Sequence, residues 1–522
     1  MSHLGTGQFG WFDSPRGMTG GASRDELEMS HPATNSFLPL ARSAHRAGAI
    51  NRAALLYQRV MAVDPSLAEA VHVLGGLEVD QELGERGLSW LRRSLRLESQ
   101  NGIFWLNLAV GLQRFSLIEE ALEALRSALS LQPLNSQVHL NLGHVFKDLK
   151  RYVESRYHYY KSIALNPGEY AAYDHVSLID DTERDLDGCV RHIDRAVQLV
   201  GSKDPDLLYR QGIYYLLLGR FDPGWDLVEY RWSAKQILRD EKFTKPLQTC
   251  KPRFELGVKP GVLFLWAEQG IGDEIMFAGL IADIVPHVTK VILQVDTRLI
   301  GLFSRAFPDI RIIARPLILA ESEYDYHLPI GSLAQLFRRN RADFLRGGRP
   351  YLSPDSGRVS EVHKRLGSNE CFRIGISWYS RNGDHRCVDL QSLSVCLNRP
   401  DVQIVSLQYG DFAGEIKTLN ASQGFEIVTD TGIDCKVDIE GLAALVSCCD
   451  LVISIGNATT HLAGALGVKT WMMLPRFPGW RWLNAGRESL WYRSMRVYRQ
   501  PASGVWDDVL GELSRDLDNL LS

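Results

Sequence analysis

Residues 262–277, VLFLWAEQGIGDEIMF, decide how the second half of the chain folds. Five apolar residues lead into the turn Gly270-Ile271-Gly272, and an acidic pair and an apolar series at helical spacing follow. This order predicts a strand at residues 262–266 that passes into a helix at residues 274–285, as at the edge of a nucleotide-binding fold. Asp273 is therefore expected at the start of the helix, facing a cleft.

Two roles are open to Asp273. Its carboxylate could cap the helix, because Asp accepts hydrogen bonds from the unpaired N–H groups there and complements the positive end of the helix dipole. Alternatively, the carboxylate could act as a general base that takes a proton from a hydroxyl in the cleft. The turn alone does not separate the two roles, and motifs further along the chain favour the second.

Length and composition indicate a multidomain globular protein. The chain has 522 residues, 45% of them hydrophobic and 23% charged, which favours two or three domains. A net charge of -4 without any Lys/Arg-rich run argues against a basic surface for nucleic acid or an anionic membrane. No apolar stretch is long enough to span a bilayer, and residues 1–30 contain no signal-peptide core, so we expect a cytoplasmic protein.

Neither the cysteines nor the acidic triplets predict a metal site. The eight cysteines form no Cys-x-x-Cys pair, so reduced thiols are expected. Asp185-Leu186-Asp187 lies among helical repeats and Asp516-Leu517-Asp518 in a terminal amphipathic helix, where each is best explained as a solvated face. We therefore predict no metal and no cofactor.

The first half of the chain is built from repeats. Residues 1–33 have the composition of a disordered leader, and a 34-residue period follows, which is the spacing of tetratricopeptide repeats. The prolines that end the second helix of the aligned units are Pro65, Pro133 and Pro167. Residues 34–240 are predicted to form an all-α solenoid with one continuous core, its sixth unit slipped by one residue. The solenoid could bind a protein partner in its groove, or it could only support the next domain.

After residue 258, strands and helices alternate. Continuous apolar strands of this kind are buried on both faces, as in parallel sheets covered by helices. Residues 258–350 and 371–522 are predicted to form two Rossmann-like halves of an α/β fold, with a hinge at residues 341–370 and one cleft between the halves. Further strands are expected at residues 291–294, 310–313, 326–328, 372–377, 402–408, 425–428, 451–455, 470–474 and 495–498.

Residues 456–461, Gly-Asn-Ala-Thr-Thr-His, follow a predicted strand and begin a helix. Small and hydroxyl residues let the backbone approach a ligand, and a helix start directs its free N–H groups at an anion, so a phosphate or diphosphate is the expected occupant. Asn457, Thr459, Thr460 and His461 are the candidate ligands. Thr459 or Thr460 could instead only cap the helix while His461 packs against its neighbours.

Two further loops reach the same edge of the predicted sheet. Ser377 ends a strand, and Arg381 and Asn382 after it could bind phosphate oxygens, with an exposed arginine as the alternative. Gln408 ends the next predicted strand, where it could bind the nucleoside of a nucleotide. The alternative is that it belongs to an ordinary turn. Aromatic loops between residues 475 and 492 could wall the pocket or only cover the sheet.

Taken together, these motifs resemble a known family. The segments that carry the resemblance are Trp266-Ala267-Glu268-Gln269-Gly270-Ile271-Gly272-Asp273, Gly375-Ile376-Ser377-Trp378, Val405-Ser406-Leu407-Gln408, His461-Leu462-Ala463-Gly464-Ala465-Leu466-Gly467 and Trp491-Tyr492-Arg493-Ser494-Met495-Arg496. They look like bacterial tetratricopeptide-repeat (TPR) proteins with a C-terminal glycosyltransferase domain of the GT-B fold, similar to the ADP-heptose:lipopolysaccharide heptosyltransferases of glycosyltransferase family 9. The resemblance covers nearly the whole chain from residue 34 onwards.

The resemblance implies an inverting, metal-independent glycosyltransferase that uses a nucleotide-sugar donor. Asp273 matches the residue that acts as base in the heptosyltransferases, and Gly270 and Gly272 are expected beside the donor. Some relatives modify flagellin, so the resemblance implies transfer to a protein hydroxyl, with the repeats recruiting the acceptor. At Gly456-Asn457 the family usually has an Asp-Thr pair. This departure leaves open a non-catalytic repeat adaptor, and a transferase for cell-surface polysaccharide or lipopolysaccharide is a further alternative.

Overall fold

A computed structural model describes residues 32–81, 84–201, 203–239, 245–317, 319–367, 371–381, 386–423, 426–501 and 505–522. The chain divides into two units between Lys203 and Asp204. The predicted leader, residues 1–33, lies almost entirely outside the described residues. None of the helices in the described ranges has both the length and the apolar character needed to cross a membrane.

The helices of the first unit come in pairs at a regular interval. The first helices of four successive pairs begin at Ala68, Gly102, Ser136 and Tyr170, an interval of 34 residues. The helices are α1 Pro32–Arg46, α2 Ile50–Val63, α3 Ala68–Asp80, α4 Gly84–Leu97, α5 Gly102–Arg114, α6 Ile118–Leu131, α7 Ser136–Asp148, α8 Tyr152–Leu165, α9 Tyr170–Glu183 and α10 Leu186–Val200. The predicted array of TPR-like helix pairs is therefore confirmed in this unit.

Glycines let the two helices of a pair approach closely. A Cβ atom at Gly75 would lie 2.9 Å from the backbone N of Leu91, and one at Gly143 would lie 2.4 Å from the ring of Tyr159. The rings and aliphatic side chains opposite these glycines are fully buried. A larger residue at either glycine would have to push the helices apart, because the interior is already close-packed.

A buried histidine should make the first unit sensitive to acid. The His72 imidazole is buried and stacks on Phe104, with ring centroids 4.0 Å apart. Burial lowers the pKa of His72 from 6.5 to about 3. The unfolded chain therefore binds this proton first, so the free energy of unfolding should fall as the pH falls from 6.5 towards 3. Between pH 7.5 and pH 5 we expect this group to account for a loss of about 2 kcal/mol in urea unfolding.

His72→Asn is the variant that checks this acid sensitivity, because the amide does not titrate. It should remove about 2 kcal/mol from the difference between the two pH values. His287→Asn, at an exposed position, should keep the full difference. An unchanged pH dependence in His72→Asn would contradict the prediction.

A sixth helix pair belongs to the second unit. It consists of α11 Pro205–Leu217 and α12 Phe221–Val228, and the short helix α13 Lys235–Arg239 follows. The pair begins 35 residues after α9, as the slipped sequence predicts. The indole N–H of Trp225 donates to the carbonyl O of Arg338 at 2.9 Å, and the N–H of Asn484 donates to the carbonyl O of Leu217 at 2.8 Å. These bonds join the pair to the α/β part of the unit, whereas the sequence groups it with residues 34–240.

Two parallel sheets form the α/β part. The N-lobe contains β1 Val262–Trp266, α14 Ile271–Ala278, α15 Ile281–Ile284, β2 Lys290–Val295, α16 Ile300–Ala306, β3 Arg311–Ala314, β4 Tyr326–Pro329 and α17 Leu333–Phe337. After α18 Arg341–Arg346 and α19 Ser356–Leu366, the C-lobe contains β5 Phe372–Ser377, α20 Leu390–Leu397, β6 Val402–Ser406, α21 Ala413–Gln423, β7 Ile427–Val428, α22 Ile439–Ser447, β8 Leu451–Ile455, α23 Ala458–Leu466, β9 Thr470–Leu474, β10 Met495–Arg499 and α24 Asp507–Leu521.

The strand orders are those of doubly wound folds. They are β3-β2-β1-β4 in the N-lobe and β10-β9-β8-β5-β6-β7 in the C-lobe, and all neighbouring strands are parallel. In each sheet the order reverses beside the first strand, β1 or β5, and such a switch point opens a crevice at the carboxyl ends of the strands. The coarse α/β prediction is thereby confirmed.

The predicted strands differ from the observed ones by at most two residues at either end. The helix predicted at residues 274–285 is displaced. It begins at Ile271 because Gly270 takes the N-cap position, and it breaks after Ala278 before resuming at Ile281. The predicted hinge at residues 341–370 contains two helices and is bonded to the C-lobe, since the N–H groups of Tyr351 and Leu352 both donate to the carbonyl O of Ala465.

Candidate functional site

A cavity of about 330 Å³ lies between the N-lobe and the C-lobe. It opens at the carboxyl ends of β1 and β8, where doubly wound folds bind ligands. Of the residues predicted for the site, those that line the cavity are Gly270, Gly272, Asp273, Asn457, Thr459 and His461. Asp273 of one lobe and the start of α23 of the other therefore share one space.

Asp273 lies in the first turn of α14 and does not cap the helix. Gly270 is the N-cap, and no side chain accepts a capping hydrogen bond at this end. The capping role considered for Asp273 is therefore wrong, because the helix begins two residues before it. Gly272 allows the lobes to meet, since a Cβ atom there would lie 3.0 Å from Cδ2 of His461.

The Asp273 carboxylate is bonded to the other lobe. Nε of Arg481 donates to Oδ1 of Asp273 at 2.5 Å, and Nη2 of Arg481 donates to Oε1 of Gln269 at 3.0 Å. The two side chains of the ion pair are largely shielded, with 14% of Asp273 and 23% of Arg481 exposed. Gln269 has a φ of 60°, in the left-handed region that is unusual for a residue other than glycine. The turn before α14 is thus strained and held by a specific contact.

α23 directs its N-terminus at the cavity. Asn457 is the N-cap, and its Oδ1 accepts from the N–H of Thr460 at 3.3 Å. The capping role considered for Thr459 or Thr460 is therefore wrong, because Asn457 already occupies the cap position. Ala458 and Thr459 form the cavity wall at the start of the helix. The first N–H groups of a helix have no partner within it, so this wall favours an anion.

His461 is a neutral residue of the cavity wall. Burial lowers its pKa to about 3, so the imidazole is uncharged at pH 7. Nδ1 lies 3.1 Å from the hydroxyl of Tyr492, and the ring stacks on Trp482 at 4.8 Å. Burial raises the pKa of Tyr492, which keeps the phenol protonated. A phenol that donates to Nδ1 leaves the imidazole proton on Nε2.

Three predicted donor-binding residues lie behind the cavity wall. Ser377, Gln408 and Thr460 are buried, and their polar groups bond to the protein. Oε1 of Gln408 accepts from the hydroxyl of Ser377 at 3.0 Å, and that hydroxyl accepts from Nδ2 of Asn457 at 2.8 Å. The hydroxyl of Thr460 donates to the carbonyl O of Ile455 at 2.5 Å. The structure therefore places these three residues where they support the cavity wall and do not contact a ligand in the cavity. Their hydrogen-bonding groups are already bonded to the strand ends and to Asn457.

The predicted phosphate ligand Arg381 does not line the cavity. Arg381 is exposed outside it, and Asn382 lies outside the described residues. The cations that line the cavity are Arg298, Arg386, Lys436 and Arg481, none of which was predicted as a donor ligand. Asp273 is the only carboxylate among the lining residues of the described chain, so the cavity carries an excess of positive charge.

The indole of Trp482 lies beside Gly456 in the cavity wall. A Cβ atom at Gly456 would lie 3.3 Å from Nε1 of Trp482 and 3.2 Å from Cδ2 of Leu474. The indole thus fills the space beside Gly456, and both residues line the cavity. A larger side chain at position 456 would have to displace this indole, which accounts for the glycine in steric terms.

Glu274 lies beside Asp273 but points away from the cavity. It is fully buried, its Oε2 accepts from the N–H of Asp296 at 2.7 Å, and Nη2 of Arg315 lies 3.2 Å from its Oε1. Burial raises its pKa to about 7, although Arg315 opposes that shift. In the described ranges no three His, Cys, Asp or Glu side chains are grouped so that they could hold a metal ion.

Comparison with known proteins gives one relative in sequence and several partial likenesses in structure. No protein-family model matches the chain. The chain is 29% identical to Protein FlbA of Caulobacter vibrioides over 449 residues, which cover 79% of this chain and 72% of FlbA.

The structural likenesses are to shorter chains. MamA from Desulfovibrio magneticus RS-1, solved from residue 41 to its end, is 14% identical with a TM-score of 0.31, and the match covers 33% of this chain and 98% of the solved chain. Pseudomonas aeruginosa PilF is 21% identical with a TM-score of 0.36, covering 42% and 96%. YrrB, described as a TPR protein with an unusual peptide-binding site, is 17% identical with a TM-score of 0.29, covering 34% and 92%.

Proposed function

We propose that this protein is an inverting glycosyltransferase of the GT-B type, which transfers a sugar from a nucleotide-sugar donor to a hydroxyl group of a protein acceptor. The observation that carries the proposal is the shared cavity, where Asp273 of one lobe faces the N-terminus of α23 of the other. The two lobes have the strand orders of doubly wound folds, whose switch points bind nucleotides.

In the proposed reaction the acceptor oxygen attacks the anomeric carbon while Asp273 takes its proton. The bond between that carbon and the phosphate oxygen breaks, and the electron pair leaves with the nucleotide. The helix dipole of α23 and the lining cations Arg298, Arg386 and Lys436 would stabilise the negative charge on the leaving phosphate. His461, being neutral, could donate a hydrogen bond from Nε2.

The acceptor is proposed to be a protein recruited by the TPR-like helix pairs. Repeat arrays of this kind present extended surfaces to peptides and proteins. The resemblance to TPR transferases that modify flagellin makes flagellin the first acceptor to test.

A panel of UDP-, GDP-, ADP- and CMP-sugars tests whether the cavity binds a donor. One nucleotide class should raise the melting temperature, because a ligand at one hundred times its Kd stabilises the folded state by about 2.7 kcal/mol. Intact-mass analysis of flagellin incubated with the enzyme and that donor should then show a mass increase of one sugar.

Ala458→Asp is the matched variant for the donor panel. It adds a carboxylate at the first residue of α23, which favours the helix but repels a phosphate, so the thermal shift should disappear. Ala413→Asp adds the same charge at the exposed start of α21 and should leave the shift intact. If no nucleotide class binds and flagellin gains no mass, the non-catalytic adaptor becomes the better account.

A further inference from the structure

Arg481 makes a one-sided contact with the candidate base. Nε of Arg481 donates to Oδ1 of Asp273, and within the described ranges no N–H or O–H group donates to Oδ2. Oδ2 lies on the side of Gly270, where a Cβ atom would be 4.0 Å away. One oxygen of the carboxylate is thus fixed, and the other keeps its lone pairs for a group in the cavity.

The guanidinium of Arg481 is itself held on several sides. Its central carbon lies 4.6 Å from the ring centroid of Trp480, and Nη2 donates to Oε1 of Gln269. The indole N–H of Trp491 donates to the carbonyl O of Arg481 at 3.0 Å. An arginine that is stacked on an aromatic ring and bonded through both Nε and Nη2 has little freedom to move.

The sixth helix pair supports the segment that carries Arg481. The ring of Trp225 on α12 meets Trp480 edge to face, with centroids 5.3 Å apart. The N–H of Asn484, three residues after Arg481, donates to the carbonyl O of Leu217 at the end of α11. The last helix pair of the repeat series is therefore joined to the contact on Asp273 through packed, hydrogen-bonded groups.

We propose that Arg481 is a positioning residue for the transfer reaction. It holds Oδ1 of Asp273 so that Oδ2 faces the acceptor hydroxyl, and Oδ2 receives the proton when the acceptor oxygen bonds to the anomeric carbon. This inference rests on the proposed function and adds to it a group that acts through the base. A small displacement of a reacting group can cost about 100-fold in rate, so the orientation of the carboxylate matters.

Arg481→Met removes the bond to Asp273 and keeps an unbranched side chain of similar length at this position. We expect kcat to fall about 10- to 100-fold, with the donor KM changed by less than about 2-fold. Arg481→Lys, which can still donate to Oδ1, should recover part of the loss. Gln269→Asn shortens the side chain that steadies Arg481 and tolerates the left-handed backbone, so it should cause a smaller fall in kcat. The donor-induced thermal shift of each variant reports whether the cavity still forms.

Combining Arg481→Met with Asp273→Asn tests whether the arginine acts through the carboxylate. In the Asp273→Asn background Arg481→Met should lower the residual kcat by less than about 2-fold. Three results would overturn the inference and leave the proposed transferase function standing. They are an equal fall in kcat in the wild-type and Asp273→Asn backgrounds, a change in donor KM alone, and a wild-type rate in Arg481→Met. Absence of transfer by the wild-type protein with every donor would instead refute the proposed function.

Discussion

Asp273→Asn should lower the turnover of sugar transfer by about 10²- to 10⁴-fold, which is the contribution of a positioned general base. Asparagine keeps the size of the side chain, and its Oδ1 can still accept from Nε of Arg481. The contact between the lobes should therefore persist, and the donor should still raise the melting temperature. The lost property is the capacity to take a proton. The effect is measured as the initial rate of transfer at saturating donor concentration, with the intact mass of the acceptor as the readout.

Glu274→Gln is the matched control for this loss, because it changes the neighbouring carboxyl group. Glu274 does not line the cavity, and Oε1 of a glutamine can still accept from the N–H of Asp296. Its turnover should stay within about 3-fold of the wild type. Turnover by Asp273→Asn at the wild-type rate would show that the proton goes elsewhere.

The strands could be predicted closely because their signal is local. An uninterrupted apolar run bounded by polar or glycine residues, as at Val262–Trp266 and Leu451–Ile455, needs no knowledge of distant residues. The start of the helix after β1 was predicted less well because it does not depend on the apolar pattern. The apolar spacing indicates its buried face, but the backbone of Gly270 sets its first residue, and glycine carries no capping side chain that would show this.

The candidate site could be predicted only in part, since position on a strand end does not fix where a side chain points. Ser377 ends β5 and Gln408 lies just after β6 at the expected edge, yet the two side chains bond to each other. Asp273 and Arg481 form an ion pair across 208 residues of sequence, and no spacing rule links them. The aromatic loop after β9 was a candidate wall, and Trp482 of that loop does line the cavity.

A buried ion-pair network fixes the turn that carries Asp273. Nε and Nη2 of Arg231 donate to the two carboxylate oxygens of Glu268, each at 2.9 Å. Only 4% of the Arg231 side chain and 2% of the Glu268 side chain are exposed. Glu268 also accepts from the N–H of Gly331 at 2.8 Å, and it immediately precedes the strained Gln269. Arg231 follows α12, so the network joins the sixth helix pair to the end of β1.

Arg231→Met should lower the free energy of unfolding of the second unit by about 3–5 kcal/mol, because it leaves the Glu268 carboxylate buried without its cation. Methionine fills much of the same space, so the loss of unfolding free energy arises mainly from the unpaired charge of Glu268. Urea unfolding at pH 7 measures the effect. Arg126→Met, which breaks an exposed pair with Glu123, should cost less than about 1 kcal/mol.

The double variant Arg231→Met with Glu268→Gln separates charge from packing. Because position 268 then carries no buried charge and Glu229 still pairs with Arg253, the double variant should recover at least about 2 kcal/mol relative to Arg231→Met. A double variant as unstable as the single one would mean that the hydrogen bonds to Gly331 and the surrounding packing matter more than the charge.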